Sequence, residues 1–133
     1  NGGKNAQFLG TELWNTEADL AANATMRGAW FASVPDTLYG QYAAKYRTRY
    51  GKTPFRLSSL GYDAVLLTVK ISRSWRLGHP FPVEQMTDRG GFLGVDGPFR
   101  FSADGRIERA LEVQQVGKGA FTTVDPAPTA FAD

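Results

Sequence analysis

The sequence predicts an α/β protein with a mixed sheet, in which helices come early and short antiparallel strands come last. Three observations predict it. Tyrosines between residues 37 and 50 recur at helical spacing. A longer apolar stretch, 59 to 76, carries large side chains around more than half of a helix. From Gly90 onward the pattern changes to short alternating runs separated by glycine turns.

Each element has its own local signal. Asn1 to Gln7 is polar and reads as a loop; Phe8-Leu9-Gly10 reads as the end of a buried strand. Asn15 or Thr16 is placed to cap a short helix, with Glu17 and Asp19 in its first turn, ending near Met26-Arg27-Gly28. Ala29 to Val34 reads as a strand closed by Pro35. Asp36 caps a helix from Thr37 to Tyr50, with Tyr39, Tyr42, Ala43, Tyr46 and Tyr50 on one face and Gly51 as its C′ residue. Lys52-Thr53-Pro54 connects to the longest helix, capped by Ser58 or Ser59 and running to about Arg76. Its residues Leu60, Ala64, Val65, Leu67, Ile71 and Trp75 predict burial between other layers.

Gly78-His79-Pro80 ends that helix, and Pro82 opens a short one through Asp88. Phe99-Arg100-Phe101, Ala110 to Val116 and Phe121 to Val124 then read as antiparallel strands. Their turns are Ser102-Ala103-Asp104-Gly105 and Gly117-Lys118-Gly119, and a stiff tail, Asp125-Pro126-Ala127-Pro128, follows. These strands are too few to flank the long helix in a parallel sheet. Residues 1–133 therefore read as one fragment of a larger α/β protein.

Composition narrows the function. Of 133 residues, 42% are hydrophobic and 21% charged, the balance of an ordinary globular chain. Fifteen basic and 13 acidic residues leave a net charge of +2, too even for a nucleic-acid groove. The longest apolar run, Ala64-Val65-Leu66-Leu67, is far short of the ~20 residues of a membrane span. Cysteine is absent, which removes disulfides and thiolate chemistry. The polar opening is no signal peptide, so either the protein is cytosolic or the chain begins downstream of the gene's start, and the second is expected.

Catalytic motifs do not assemble. His79 is the lone histidine, with no partner at metal-ligand spacing, and reads as an exposed loop residue. Gly117-Lys118-Gly119 lacks the remainder of a phosphate loop. Asp96-Gly97 and Asp104-Gly105 read as turns rather than calcium ligands. No enzyme, metal or cofactor is expected, and the tyrosine stripe reads as packing, with the lining of a pocket as its alternative. Glu12 and Trp14 stand apart, because they follow a strand directly, where open α/β sheets bind ligands. A carboxylate beside an indole suits an ammonium group. Against that stands the plain alternative of a solvated Glu and a packing Trp.

Five ordered segments carry a family resemblance. Phe8-Leu9-Gly10-Thr11-Glu12-Leu13-Trp14, Gly28-Ala29-Trp30-Phe31, Tyr46 through Pro54, Tyr62-Asp63-Ala64, and Gly97-Pro98-Phe99-Arg100-Phe101 with Asp104-Gly105 span nearly the whole chain. Together they resemble the C-terminal segment of type I periplasmic binding proteins, the branched-chain amino acid receptors of ABC transporters. The resemblance implies part of a two-lobed fold that closes on a ligand, with the N-terminal two-thirds absent. It implies an amino-acid-like ligand, a transporter permease as partner, a periplasmic location, and contact of Glu12 with the ligand's ammonium. Tyr62, near the start of the long helix, is a candidate for the cleft between lobes. The ending, Ala110-Leu111-Glu112-Val113 with Asp125-Pro126-Ala127-Pro128 and Phe131, is also similar to binding-protein-like lipoproteins that activate penicillin-binding proteins. That is the alternative function. A chain with such a long helix is expected to be accompanied by the rest of its protein or to self-associate.

Overall fold

A computed structural model describes residues 6–17 and 19–131. The expected opening loop through Asn5, and Ala18 within the first predicted helix, lie outside the described residues. The chain forms two compact units, one of residues 1–34 with 111–127, the other of residues 35–110 with 128–133.

The first unit is a four-stranded mixed sheet. Strand β1 (Leu9–Gly10) runs parallel to β2 (Trp30–Ser33). Strands β6 (Glu112–Val116) and β7 (Phe121–Asp125) add antiparallel, giving the order β1-β2-β6-β7. Its core is Ala29, Phe31 and Val116, with Trp14, Leu20, Met26 and Phe121 packed against it. Burying Phe31 alone contributes roughly 1.5–3 kcal/mol.

Two expectations fail in this unit. β1 is not buried: Phe8 is 51% and Leu9 74% exposed, because β1 is an edge strand of the sheet. The helix expected from Thr16 to Met26 is three separate 3₁₀ turns, Glu12–Thr16, Leu20–Ala22 and Ala24–Met26. Of the two expected caps, Asn15 donates its amide to Ser33 Oγ at 2.7 Å and Thr16 Oγ1 donates back to the Leu13 carbonyl at 2.9 Å. Asn23 caps the third turn by accepting the Thr25 N–H.

The second unit carries the two α-helices of the described residues. Helix α1 (Asp36–Tyr50) starts one residue earlier than expected, with Pro35 at the N-cap and Asp36, the expected cap, inside the first turn; Gly51 closes it in the left-handed conformation, φ 69°. Helix α2 (Ser58–Ser72) stops one turn before the expected Arg76. A 3₁₀ turn, Val83–Thr87, leads into a three-stranded antiparallel sheet of β3 (Phe92–Gly94), β4 (Gly97–Phe101) and β5 (Ile107–Arg109). Leu67 and Ile71 of α2 pack with Phe92 and Phe99 to form the core, extended by Phe81, Met86 and Phe101.

Only one stripe of α2 is covered. Ser59, Asp63, Leu67 and Ile71, spaced four apart, are buried. Tyr62, Val65, Leu66 and Val69 are 45%, 62%, 43% and 48% exposed. The expectation of a mostly buried helix is not met within this chain, because the second unit has a single layer to pack against it.

Candidate functional site

In the first unit the site begins where β1 and β2 end. The chain leaves β1 at Gly10 and folds at once into the 3₁₀ turn Glu12–Thr16, closed by the Trp14 N–H on the Thr11 carbonyl at 3.0 Å. The indole of Trp14 lies directly over Gly10; a Cβ there would overlap the ring. The same indole sits 6.0 Å from the Phe31 ring, tilted by 52°. Trp14 is therefore held by core packing, and Glu12 stands exposed on the turn that it anchors. Both sit just past the carboxyl end of a strand, where parallel strands present ligand-binding loops.

Behind that turn lies a polar cluster inside the sheet. Ser33, 0% exposed, accepts from Asn15 Nδ2 and donates to the Val34 carbonyl. Its partner across the ladder is Glu112, 8% exposed. Glu112 Oε1 accepts from Gln114 Nε2 at 2.5 Å and from Thr123 Oγ1 at 3.4 Å. Neither Glu112 nor Gln114 stands out in the sequence, since alternation over 112–116 fits a strand with either face inward. The only signal was two polar residues sharing the face of buried Val116.

Tyr62 belongs to the second unit. Its ring lies 5.0 Å from that of Tyr42, whose hydroxyl is 2.9 Å from Ser58 Oγ. With Tyr46, Tyr50, Leu66 and Leu93 these rings line a groove of about 480 Å³, edged by Lys45 and Arg49. The tyrosine stripe packs ring on ring, as expected, and also forms this open wall.

Beside the groove, α2 is fixed to the β3–β4 hairpin by charge. Arg56 Nη1 donates to Asp96 Oδ1 at 2.5 Å and to Ser59 Oγ at 3.2 Å, and its guanidinium lies 3.9 Å from the centre of the Tyr39 ring. Ser59 Oγ also reaches Asp96 Oδ2 at 2.6 Å. Burial raises the Tyr39 hydroxyl pKa, with Arg56 acting against it. Asp63 Oδ1 accepts the Val95 N–H at 2.8 Å. Burial also raises the Asp63 pKa above its ordinary value, opposed by that backbone bond and reinforced by Asp96.

Of the residues expected at the site, the structure thus places Glu12 and Trp14 on one turn of one unit and Tyr62 on a helix of the other. His79 is exposed, and its carbonyl accepts from Trp75 Nε1 at 2.8 Å. Among the described residues no group of His, Cys, Asp and Glu is arranged to hold a metal ion, and no helix is long and apolar enough to cross a membrane.

Comparison with known proteins gives a fold but no close sequence relative. No protein-family model matches the chain, and no curated protein sequence matches it. Among solved structures, one described as a branched-chain amino acid ABC transporter from Rhodospirillum rubrum superimposes with a TM-score of 0.75 at 21% identity, covering 92% of this chain. An ABC transporter substrate-binding protein from Desulfitobacterium hafniense, in complex with Leu, gives 0.60 at 24% identity over 92% of this chain. A solute-binding protein of an ABC transporter from R. palustris, in complex with benzoate, gives 0.56 at 17% identity over 96%. The chain spans 38%, 36% and 37% of those structures' lengths. It has the α/β fold of the corresponding part of these binding proteins, as its sequence predicts.

Proposed function

We propose, from that shared fold, that this chain forms the C-terminal third of an extracytoplasmic solute-binding receptor serving an ABC transporter. The observation that carries the reading is the superposition at a TM-score of 0.75 over 92% of the chain. A second observation supports it. The uncovered stripe of α2, with Tyr62, Val65, Leu66 and Val69, is what a helix presents when the layer that packs on it belongs to the rest of a two-lobed fold.

In this reading the chain binds and carries rather than catalyses. The ligand is a small polar molecule of the amino-acid type. Glu12 takes its ammonium group and the anchored Trp14 flanks it, with Tyr62 a further candidate contact. The partners are the transporter's permease and the remainder of the receptor, and the location is the periplasm. Fold alone does not choose the ligand, since the compared structures hold Leu in one case and benzoate in another. The penicillin-binding-protein activator remains the alternative. The compared structures favour transport, because their descriptions name ABC transporters.

Calorimetry tests the reading. The chain, expressed together with the remainder of its receptor, is titrated with each standard amino acid. One of them is expected to bind with a Kd on the order of a micromolar, about −8 kcal/mol. Failure of all of them, with co-purification of a peptidoglycan synthase, would replace the receptor with the activator.

A further inference from the structure

The chain passes between its two units three times, after residues 34, 110 and 127. Each passage is fastened to the same strand of the second unit, β4. At the first, the Pro35 ring lies against Gly97, so closely that a Cβ there would press on it. At the second, the Ala110 N–H donates to the Pro98 carbonyl at 3.0 Å. At the third, the segment that leaves β7 brings the centre of the Phe131 ring to 4.7 Å from the Arg100 guanidinium. The first two fastenings are made by the residue at the passage itself. The third is made further along, through one side chain.

The seat of that ring is held in place by the second unit. Arg100 Nε donates to Glu108 Oε2 and its Nη1 to the Arg89 carbonyl at 3.2 Å, which fixes the guanidinium plane. A planar guanidinium stacks well on an aromatic face. Gly91 forms the floor of the seat, where a Cβ would stand 3.0 Å from Phe131 Cε2. The approach to the seat is stiff. Asp125 is held in the ladder opposite Val113, and Pro126 and Pro128 follow it. Each proline fixes its own φ and keeps the residue before it, Asp125 or Ala127, extended. A proline-rich segment spans about 3.1 Å per residue and takes up little slack, unlike a glycine linker.

We propose that residues 126–131 form a releasable strap. Held at Asp125 in the first unit and at Phe131 in the second, it restrains turning of one unit against the other, and release of the ring from Arg100 frees that motion. Phe131 is half-buried, and the Arg100 side chain keeps 23% exposure. A cation–π contact at such a site is weak, so the strap lets go without unfolding either unit. The strap does not rest on the receptor reading, because it uses only contacts made within this chain.

The chain has no cysteine, so two introduced ones can carry spin labels with no competing site. Lys118→Cys in the first unit and Lys52→Cys in the second replace exposed residues. Pulsed electron resonance then reads the spread of distances between the units. Labelled chains are diluted with unlabelled ones, so that only distances within one chain are read. Phe131→Ala is expected to broaden the spread, and Phe131→Tyr, which keeps the ring face, to leave it as in the native chain. The Arg100 side-chain N–H signal in NMR should lie upfield beside the ring and lose that shift in Phe131→Ala but not in Phe131→Tyr. An equal spread with and without the ring would overturn the strap, and so would an Arg100 signal that does not move. If Phe131→Ala fails to fold, Arg100→Gln takes its place. It removes the cation and leaves Phe131, and it should broaden the spread in the same way; an unchanged spread there also overturns the strap.

Discussion

Gly94 lies against the carboxylate of Asp63 so closely that a Cβ on the glycine would overlap it. Helix α2 and strand β3 therefore meet at a point where one side has no side chain at all. Gly94→Ala is expected to push the hairpin off the helix and destabilise the chain by about 1–3 kcal/mol, the usual cost of overpacking. Urea denaturation measures it. An unchanged midpoint would mean that the hairpin and helix yield without cost.

Asp63 itself should make stability depend on pH. Its pKa in the fold is raised from 3.8, first by burial and then by the nearby Asp96. The folded chain then holds a proton over a range of pH where the unfolded chain has lost it. Its contribution is fully present below 3.8 and is lost as pH rises through the raised folded value. Asp63→Asn keeps the acceptor for the Val95 N–H and removes the titration. The difference in unfolding free energy between native and variant chains should therefore change with acidification in favour of the native one. A pH-independent difference would remove Asp63 from the account.

The Arg56–Asp96 pair gives a prediction that tests coupling. Asp96 is 3% exposed, and its cation is Arg56. Arg56→Met should cost about 2–4 kcal/mol, because it leaves a buried carboxylate without its charge partner. The figure sits at or below that of fully buried pairs, since the Arg56 side chain keeps 19% exposure. Adding Asp96→Asn should recover part of the loss. A double variant whose loss equals the sum of the single losses would show that the two groups do not act as a pair.

How far these features were legible in the sequence differs from place to place. Helix α1, Gly51 and the Asp104-Gly105 turn carry local signals that need no tertiary help, and they stand where expected. The segment after β1 was misread because the decisive contacts are distant in sequence. Trp14 packs on Phe31, and Asn15 bonds to Ser33 rather than to its own turn. Strands β3 and β5, three residues each, are too short to show alternation. Glu12 and Trp14 are candidates by their place after a strand, whereas the burial of Glu112 carries no signal in the sequence, because burial of a strand face depends on what packs against it.

Glu12 and Tyr62 each yield a prediction for ligand binding. In the complete receptor, Glu12→Gln should weaken amino-acid binding by about 1.5–3 kcal/mol, the range for hydrogen bonds to charged groups. Tyr62→Phe keeps the ring on Tyr42 and should leave melting unchanged. Lower affinity in that variant would assign the hydroxyl to the ligand. Unchanged affinity in both variants would clear them from the site.

The exposed stripe of α2 predicts how the chain behaves alone. At tens of micromolar the 133-residue chain should scatter light as more than a monomer, and replacing Val65 and Val69 by Lys should return it to one. A clean monomer before substitution would mean that the stripe is tolerated in water.

The first unit is assembled from both ends of the chain, and this sets a timetable. Strand β2 finds its antiparallel neighbour only after the whole of the second unit has been synthesised. The Gln115 amide reaches the Gly28 carbonyl across 87 residues. The second unit's helices and hairpins close locally and can fold as they leave the ribosome, whereas β1 and β2 must wait. Closing so wide a loop is slow, and during the wait β2 presents an unpaired edge to any other strand nearby. A pause in translation just after residue 110 has emerged should therefore lead to aggregation through β2 while the helices and hairpins of residues 35–110 have already formed.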